Sequence, residues 1–213
     1  GHSTLHEAVE FFFIQRCGMA VPGWHGPCHL NDALLPDGTY RDAAGGWHDA
    51  GDYNKYNGHS PVAAFALFSM FRELPGFFAQ REREGRPATI DEALWGTAWI
   101  AKMVDPESGM LWRDVFSGYS YWGTREAETD NQIGSEKSRR FRHEHEHDRH
   151  PELAVAVFCL ADHYDRTSPA WRDTAFRLWN AAGTLAELTP MRKAGAILAG
   201  LALYRMTGDA RYL

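Results

Sequence analysis

Nothing in this 213-residue sequence approaches the ~20 consecutive apolar residues of a membrane-spanning helix, so no membrane partner is expected. Positive charge is not in excess either. Lys and Arg number 22 against 28 Asp and Glu, a net charge of -6. That balance offers no electrostatic footprint for nucleic acid or for an anionic lipid surface. Cysteine is scarce, at three residues, and an odd count that small argues against a pure disulfide framework. Gly1-His2-Ser3 is not the basic opening of an export signal, although a processed chain would already have lost one. What the chain does have is apolar and aromatic weight: 44% hydrophobic residues, 13% aromatics and eight Trp. That suffices for the core of one domain, or of a piece of one.

Strand signals are few and helical spacing is frequent. Ser3 or Thr4 can cap a first helix, with Glu7 placed for a capping box. Leu5, Val9, Phe12 and Phe13, with Arg16 beyond them, follow helical spacing, and Gly18 ends the run. Residues 19–59 are rich in Gly, Pro, Asn and Asp and read as a long ordered loop, a feature that is usually functional in a compact domain. A second helix starts at Ser60-Pro61 and stops before Pro75. The segment 79–87 is charged and solvated. A third helix begins near Thr89 and Asp91 and ends before Pro106, and residues 106–150 form a second long loop. Three more helices are expected at about 151–164, 169–188 and 190–206, each opening with Pro near its start. Thr207-Gly208-Asp209 stops the last, and Ala210 to Leu213 looks like the opening of another element. Ala194, Ile197, Leu198, Leu201 and Leu203 give that last helix a broad apolar face, as inner helices need. The expectation is an all-α array of helical hairpins with long loops at alternate connections.

The stretch that concentrates chemistry is Gly45-Gly46-Trp47-His48-Asp49-Ala50-Gly51-Asp52-Tyr53-Asn54-Lys55-Tyr56. Gly and Asp at this density argue against a helix interior, and the glycines admit backbone angles that side chains forbid. Asp49 and Asp52 are two carboxylates in one shaped loop, with Trp47, Tyr53 and Tyr56 as aromatic walls. Such a loop suits holding a water or a cation. Asp-Ala-Gly-Asp alone is equally well a turn with a helix cap.

Two thiols and two imidazoles lie along the same region: Cys17, Cys28, His29 and His48. That donor set suits tetrahedral zinc. A Cys17–Cys28 disulfide, or thiols used only in packing, are the alternatives. A second His-rich stretch, residues 142–150, alternates His with acids; it could take a divalent ion or be a solvated connection before the next helix. Cys159 sits among Val155, Val157, Phe158 and Leu160 and reads as a buried small hydrophobe.

Three segments in order, Gln15-Arg16-Cys17-Gly18, Cys28-His29-Leu30-Asn31-Asp32-Ala33 and the Gly45–Tyr56 stretch, closely resemble the signature of glycoside hydrolase family 9, the cellulase or endoglucanase type, whose members invert the anomeric centre. The resemblance implies an (α/α)6 barrel, with residues 1–213 as the N-terminal portion of a single catalytic domain roughly twice as long. It implies Asp52 as general base and Asp49 as a holder of the nucleophilic water. It implies structural zinc on Cys17, Cys28, His29 and His48. Calcium is a second candidate ion for this chain. A zinc at His48 would pin the neighbouring Asp49.

The family's proton donor is a Glu near the far end of the domain, and no residue here matches that motif. Glu126 and Glu128 read as surface or structural acids. The family's sugar cleft implies substrate-binding roles for Trp122, Tyr121, Tyr119, Trp112 and Tyr53, each with core packing as its alternative. Ser117-Gly118-Tyr119-Ser120-Tyr121-Trp122 lacks the Asp-His that many cellulases of the family carry before this Trp. The implied substrate is a β-1,4-glucan of the cellulose type. The rivals are an exo-acting enzyme on shorter oligosaccharides, including glucosamine-releasing ones, and a non-catalytic zinc-stabilised module that binds carbohydrate or a partner. Family resemblance implies secretion, and the missing signal leaves intracellular oligosaccharide processing open. A half barrel would expose apolar faces, to be covered by self-association or by the missing C-terminal half.

Overall fold

The computed structural model describes residues 2–51, 53–116, 140–142, 151–182 and 188–213. Among them run seven α-helices: α1 (His2–Ile14), α2 (Ser60–Glu73), the single turn α3 (Pro75–Phe78), α4 (Ala88–Lys102), α5 (Pro151–Tyr164), α6 (Ala170–Ala181) and α7 (Pro190–Thr207). A 3-10 turn, Ala210–Tyr212, follows α7.

The helix starts follow local chemistry. Pro61 occupies the first turn of α2 and Pro190 that of α7, where a missing N–H costs nothing. Thr189 caps α7 by accepting from the Arg192 N–H, and Gly208 closes it in the left-handed conformation. The first helix departs from expectation at both ends. It already includes His2, ahead of the expected cap, and it ends at Ile14 rather than at Gly18. Arg16 leaves the helix to pair with Trp47 in an antiparallel bridge. Gly18 serves a close approach instead: a Cβ there would lie 2.7 Å from the Gly45 backbone nitrogen. The helix expected over 169–188 is described only as α6, and residues 183–187 lie outside the described residues.

Two small sheets were not expected. Strands β1 (Lys55–Tyr56), β4 (Asp114–Phe116) and β5 (Arg140–Arg142) form a three-stranded antiparallel sheet in the order β1-β4-β5, with Lys55 opposite Val115 and Val115 opposite Phe141. Strands β2 (Glu82–Arg83) and β3 (Arg86–Pro87) make a ribbon within the segment read as charged and solvated.

The helices pack around α5. α4 packs on α2 and α5, α2 touches α5, and α5 carries both α6 and α7. Phe68 of α2 stacks on Tyr164 of α5 at 5.5 Å, and Phe158 of α5 stacks on Trp171 of α6 at 6.4 Å. Trp99, Phe68, Phe158, Ile100 and Met103 are fully buried at the centre. The apolar surface of α7 divides. Ala196, Ala199 and Leu203 turn inward, while Ala194, Ile197, Leu198 and Leu201 are exposed. None of the described helices is long and apolar enough to cross a membrane.

Candidate functional site

The site is built where the end of α1 meets the loop before β1. Cys17 N–H donates to the Gly46 carbonyl at 2.8 Å, and His48 N–H donates to the Gln15 carbonyl at 3.0 Å. These bonds lay the Gly-Gly-Trp-His segment along the Gln-Arg-Cys segment. α4 holds it from behind: the Trp47 indole N–H donates to Glu92 Oε1 at 2.7 Å, and the Trp95 indole N–H donates to the Gly46 carbonyl at 2.9 Å. Glu92 also accepts from Arg16 Nε at 3.1 Å and from Arg83 at 2.8 Å, while Arg16 reaches Asp91 at 2.6 Å. Burial, the largest influence, keeps the Glu92 carboxyl above its usual range even with Arg16 beside it.

Lys55 is a second buried anchor. Its ammonium is fully enclosed, donates to the carbonyls of Ala43 at 2.7 Å and Gly45 at 3.0 Å, and lies 2.8 Å from Asp32. A buried cation is tolerated only when so paired. Arg16 and Lys55 lie in motif segments of the sequence, but nothing there marks them as buried anchors, and Glu92 looks like an ordinary charge.

On this frame the four donors converge. One ligand atom from each of Cys17, Cys28, His29 and His48 lies within 4.8 Å of all the others, and all four residues are buried. Cys17 Sγ is 3.6 Å from His29 Nδ1, and Cys28 Sγ is 3.5 Å from His48 Nε2. Tetrahedral zinc, with Zn–S of about 2.3 Å and Zn–N of about 2.0 Å, sets its ligands about 3.3–3.8 Å apart. The two S–N separations fall inside that interval. Both cysteines are free thiols, so the disulfide alternative is not what the structure shows.

The thiols are also electronically prepared. Hydrogen bonding from Cys17, and then from His29, outweighs burial and pulls the Cys28 thiol down to about 4. For Cys17, burial pushes up, and Lys55 with the two imidazoles brings the thiol below its ordinary value. A cluster that favours thiolate is one that favours a cation. Among the described residues no other group of His, Cys, Asp and Glu could hold a metal, and nothing there supports calcium. Cys159 stays apart: burial pushes its thiol up to about 12.

Asp49 follows His48 directly. Its N–H donates to the Asn54 carbonyl at 3.0 Å, and Tyr53 N–H donates to Ala50 at 3.0 Å, so the acid sits at the start of a tight turn. Its Oδ1 lies 2.6 Å from His59 Nδ1. Asp49 and His59 border a cavity of about 440 Å³ whose walls include Phe11, Phe12, Tyr53 and Tyr56. Tyr53 holds a positive φ of 54° and places its ring 4.9 Å from the His48 ring.

Asp52 lies outside the described residues, as do Tyr119, Tyr121, Trp122, Glu126, Glu128 and residues 143–150 of the His-rich stretch. Trp112 corrects an expectation. It is 5% exposed, and its ring packs 5.5 Å from Phe141 on β5. A ring so covered offers no face to a sugar and serves the core. Among the described residues, the aromatics that border the cavity are on α1 and the 47–56 loop instead. His59 was missed, because one His ahead of a helix gives no sequence signal.

The sequence profile described as glycosyl hydrolase family 9 matches residues 2–213. Endoglucanase D of Acetivibrio thermocellus is 31% identical over 117 residues, which is 47% of this chain and 19% of that protein. The crystal structure of a single mutant (D468A) thermostable endoglucanase from Alicyclobacillus acidocaldarius superposes with a TM-score of 0.74 at 24% identity, covering 99% of this chain and 45% of that one. The Zn-binding triple mutant of the family 9 endoglucanase J30 superposes with a TM-score of 0.74 at 21% identity, over 99% of this chain and 46% of that one. The helices thus have the fold of part of the (α/α)6 barrel, and this chain spans less than half the length of those structures. With its profile matched from the second residue to the last, the chain belongs to glycosyl hydrolase family 9.

Proposed function

We propose that this chain forms the water-activating part of an inverting glycoside hydrolase that cleaves β-1,4-glucosidic bonds of cellulose-type glucans. The observation that carries the proposal is the junction of His48 and Asp49: a buried metal-capable cluster on one side, an acid facing an aromatic-walled cavity on the other. The endoglucanase names of the relatives supply the substrate class.

In this proposal Asp52 takes the proton from water as its oxygen attacks the anomeric carbon, opposite the leaving oxygen. Asp49 holds that water from the same loop. Inversion requires the proton donor about 6.5–9.5 Å away across the sugar, leaving room for the water. Asp49 and Asp52 are three residues apart, which suits two holders of one water better than an opposed pair. The donor Glu has no counterpart in these residues. Tyr53, Tyr119, Tyr121 and Trp122 are proposed to receive sugar rings. Zinc is the proposed ion of the Cys17, Cys28, His29 and His48 cluster. With four protein ligands it has no open position, so its contribution is to fix the loop.

The test is a reducing-sugar assay on carboxymethyl cellulose, cello-oligosaccharides and chito-oligosaccharides, with Asp52→Asn alongside. Hydrolysis of a cellulosic substrate that Asp52→Asn abolishes is expected, slowed about 10²–10⁴-fold where no acid is supplied. Proton NMR of the first product should show the α-anomer. Absence of both turnover and saturable cello-oligosaccharide binding would overturn the proposal. Release of short units alone from oligosaccharides would convert it to an exo-acting enzyme.

A further inference from the structure

We infer that His59 is a positioning residue: its Nδ1–H donates to one oxygen of the Asp49 carboxylate and sets the plane in which the other oxygen meets the water. The inference rests on Asp49 being the water-holding acid. The separation of 2.6 Å is that of a charge-assisted hydrogen bond, in which the carboxylate can only accept. Among the described residues no other side chain bonds to Asp49.

The mount of His59 is rigid. It is the residue immediately before α2, and its carbonyl accepts from the Ala63 N–H at 3.0 Å. Its own N–H donates to the Tyr56 carbonyl at 3.3 Å, and Ser60 Oγ donates to that same carbonyl at 2.9 Å. Ser60 and Pro61 beneath it are buried. The donor is therefore carried by the end of a packed helix, while the acceptor sits on a turn closed by two backbone bonds.

A carboxylate on such a turn can rotate about its last torsion, turning its plane away from the water. Tying one oxygen to a helix-mounted imidazole biases that torsion and leaves the other oxygen to accept from the water. The bond is not there for stability. The His59 side chain is 72% exposed, and exposed pairs contribute little to folding. Its effect falls on orientation at the edge of the cavity, where a misplaced group is costly.

Two measurements on the full chain test this. The first is long-range ¹H–¹⁵N NMR of the neutral His59 ring, in the unmodified chain and in Asp49→Ala. An Nδ1–H tautomer in the former that is lost in the latter supports the inference. An Nε2–H tautomer in both overturns it. The second is hydrolysis by His59→Ala and His59→Asn, since the Asn amide can donate from nearly the same place. His59→Ala should lower kcat about 10-fold or more with KM within about twofold, and His59→Asn should recover part of the loss. Unchanged kcat, or a rise in KM alone, overturns the positioning role. If the unmodified chain hydrolyses nothing, as the missing proton donor allows, the NMR arm decides the inference by itself, while loss of cello-oligosaccharide binding as well is what overturns the assignment of Asp49.

Discussion

Trp47 and Glu92 are joined by a 2.7 Å hydrogen bond across 45 positions of sequence, and that bond is where helix α4 takes hold of the loop that carries His48 and Asp49. Glu92 is fully buried, and its carboxylate is shared by Trp47, Arg16 and Arg83. Removing it would leave the buried Arg16 guanidinium with Asp91 as its remaining acid. Glu92→Ala is therefore expected to cost about 3–5 kcal/mol, the range for breaking a buried charge network on one side. Urea denaturation checks the size. Since Trp47 precedes His48, the same variant should also bind less metal.

Gly96 gives a sharper test, because two effects oppose each other there. It lies inside α4, where Ala is favoured over Gly by ~1 kcal/mol. A Cβ at Gly96 would fall 2.0 Å from the Trp47 ring, which is wedged against the helix. Trp47 is 6% exposed, and its indole is held in place by the bond to Glu92. Overpacking of this kind costs about 1–3 kcal/mol or more and should win. Gly96→Ala is expected to lower the melting temperature; a rise would show that the loop is not seated on α4 as described.

How much of this could be read beforehand depended on the range of the signal. α2 and α5 start where Ser60-Pro61 and Pro151 say they should, because Pro acts within one turn. The four metal-capable residues were recognisable from donor chemistry alone, but nothing local says that His29 takes a φ of 51° to turn toward Cys17. The β1-β4-β5 sheet escaped notice because its strands are two or three residues long and pair across long intervals, Lys55 with Val115. Two or three residues show no alternation. Trp112 was misplaced for a related reason. Its neighbours in sequence cannot tell whether the ring faces a cleft or Phe141, a residue brought in by the sheet. His59 acquires meaning only from Asp49, ten positions earlier and on a turn.

Acid should weaken the fold partly through Asp105. Burial pushes its carboxyl up, but the Ser108 hydroxyl and the N–H groups of Glu107 and Ser108 hold it below the usual value. A carboxyl depressed in the folded state adds stability above its unfolded value, near ~3.9, and that stability is lost as pH falls through the folded value. The window is therefore below pH ~4. Asp105 is partly exposed, so water limits the effect to a fraction of a kcal/mol. Comparing the urea midpoints of the unmodified chain and Asp105→Asn at pH 6 and pH 3 isolates it. Asp105→Asn should lose less on acidification, and parallel losses would remove Asp105 as a cause.

The metal proposal can be separated from the hydrolase proposal by stability alone. A cation that binds the folded cluster and not the unfolded chain stabilises by mass action, ~2.7 kcal/mol at 100 times its dissociation constant. The unmodified chain should carry zinc at one per molecule by elemental mass spectrometry, and a chelator should lower its melting temperature. Cys28→Ala removes a ligand 3.5 Å from His48 Nε2 and should abolish both the zinc and the chelator effect. Loss of the chelator effect matters more than a lower melting temperature, since a cavity left by any buried side chain lowers stability. If Cys28→Ala still melts lower on chelation, the stabilising ion sits elsewhere. If it does not, the link runs through His48 to Asp49, and metal removal should also broaden the NMR signals of the Asp49 turn while leaving those of α5 and α6 unchanged.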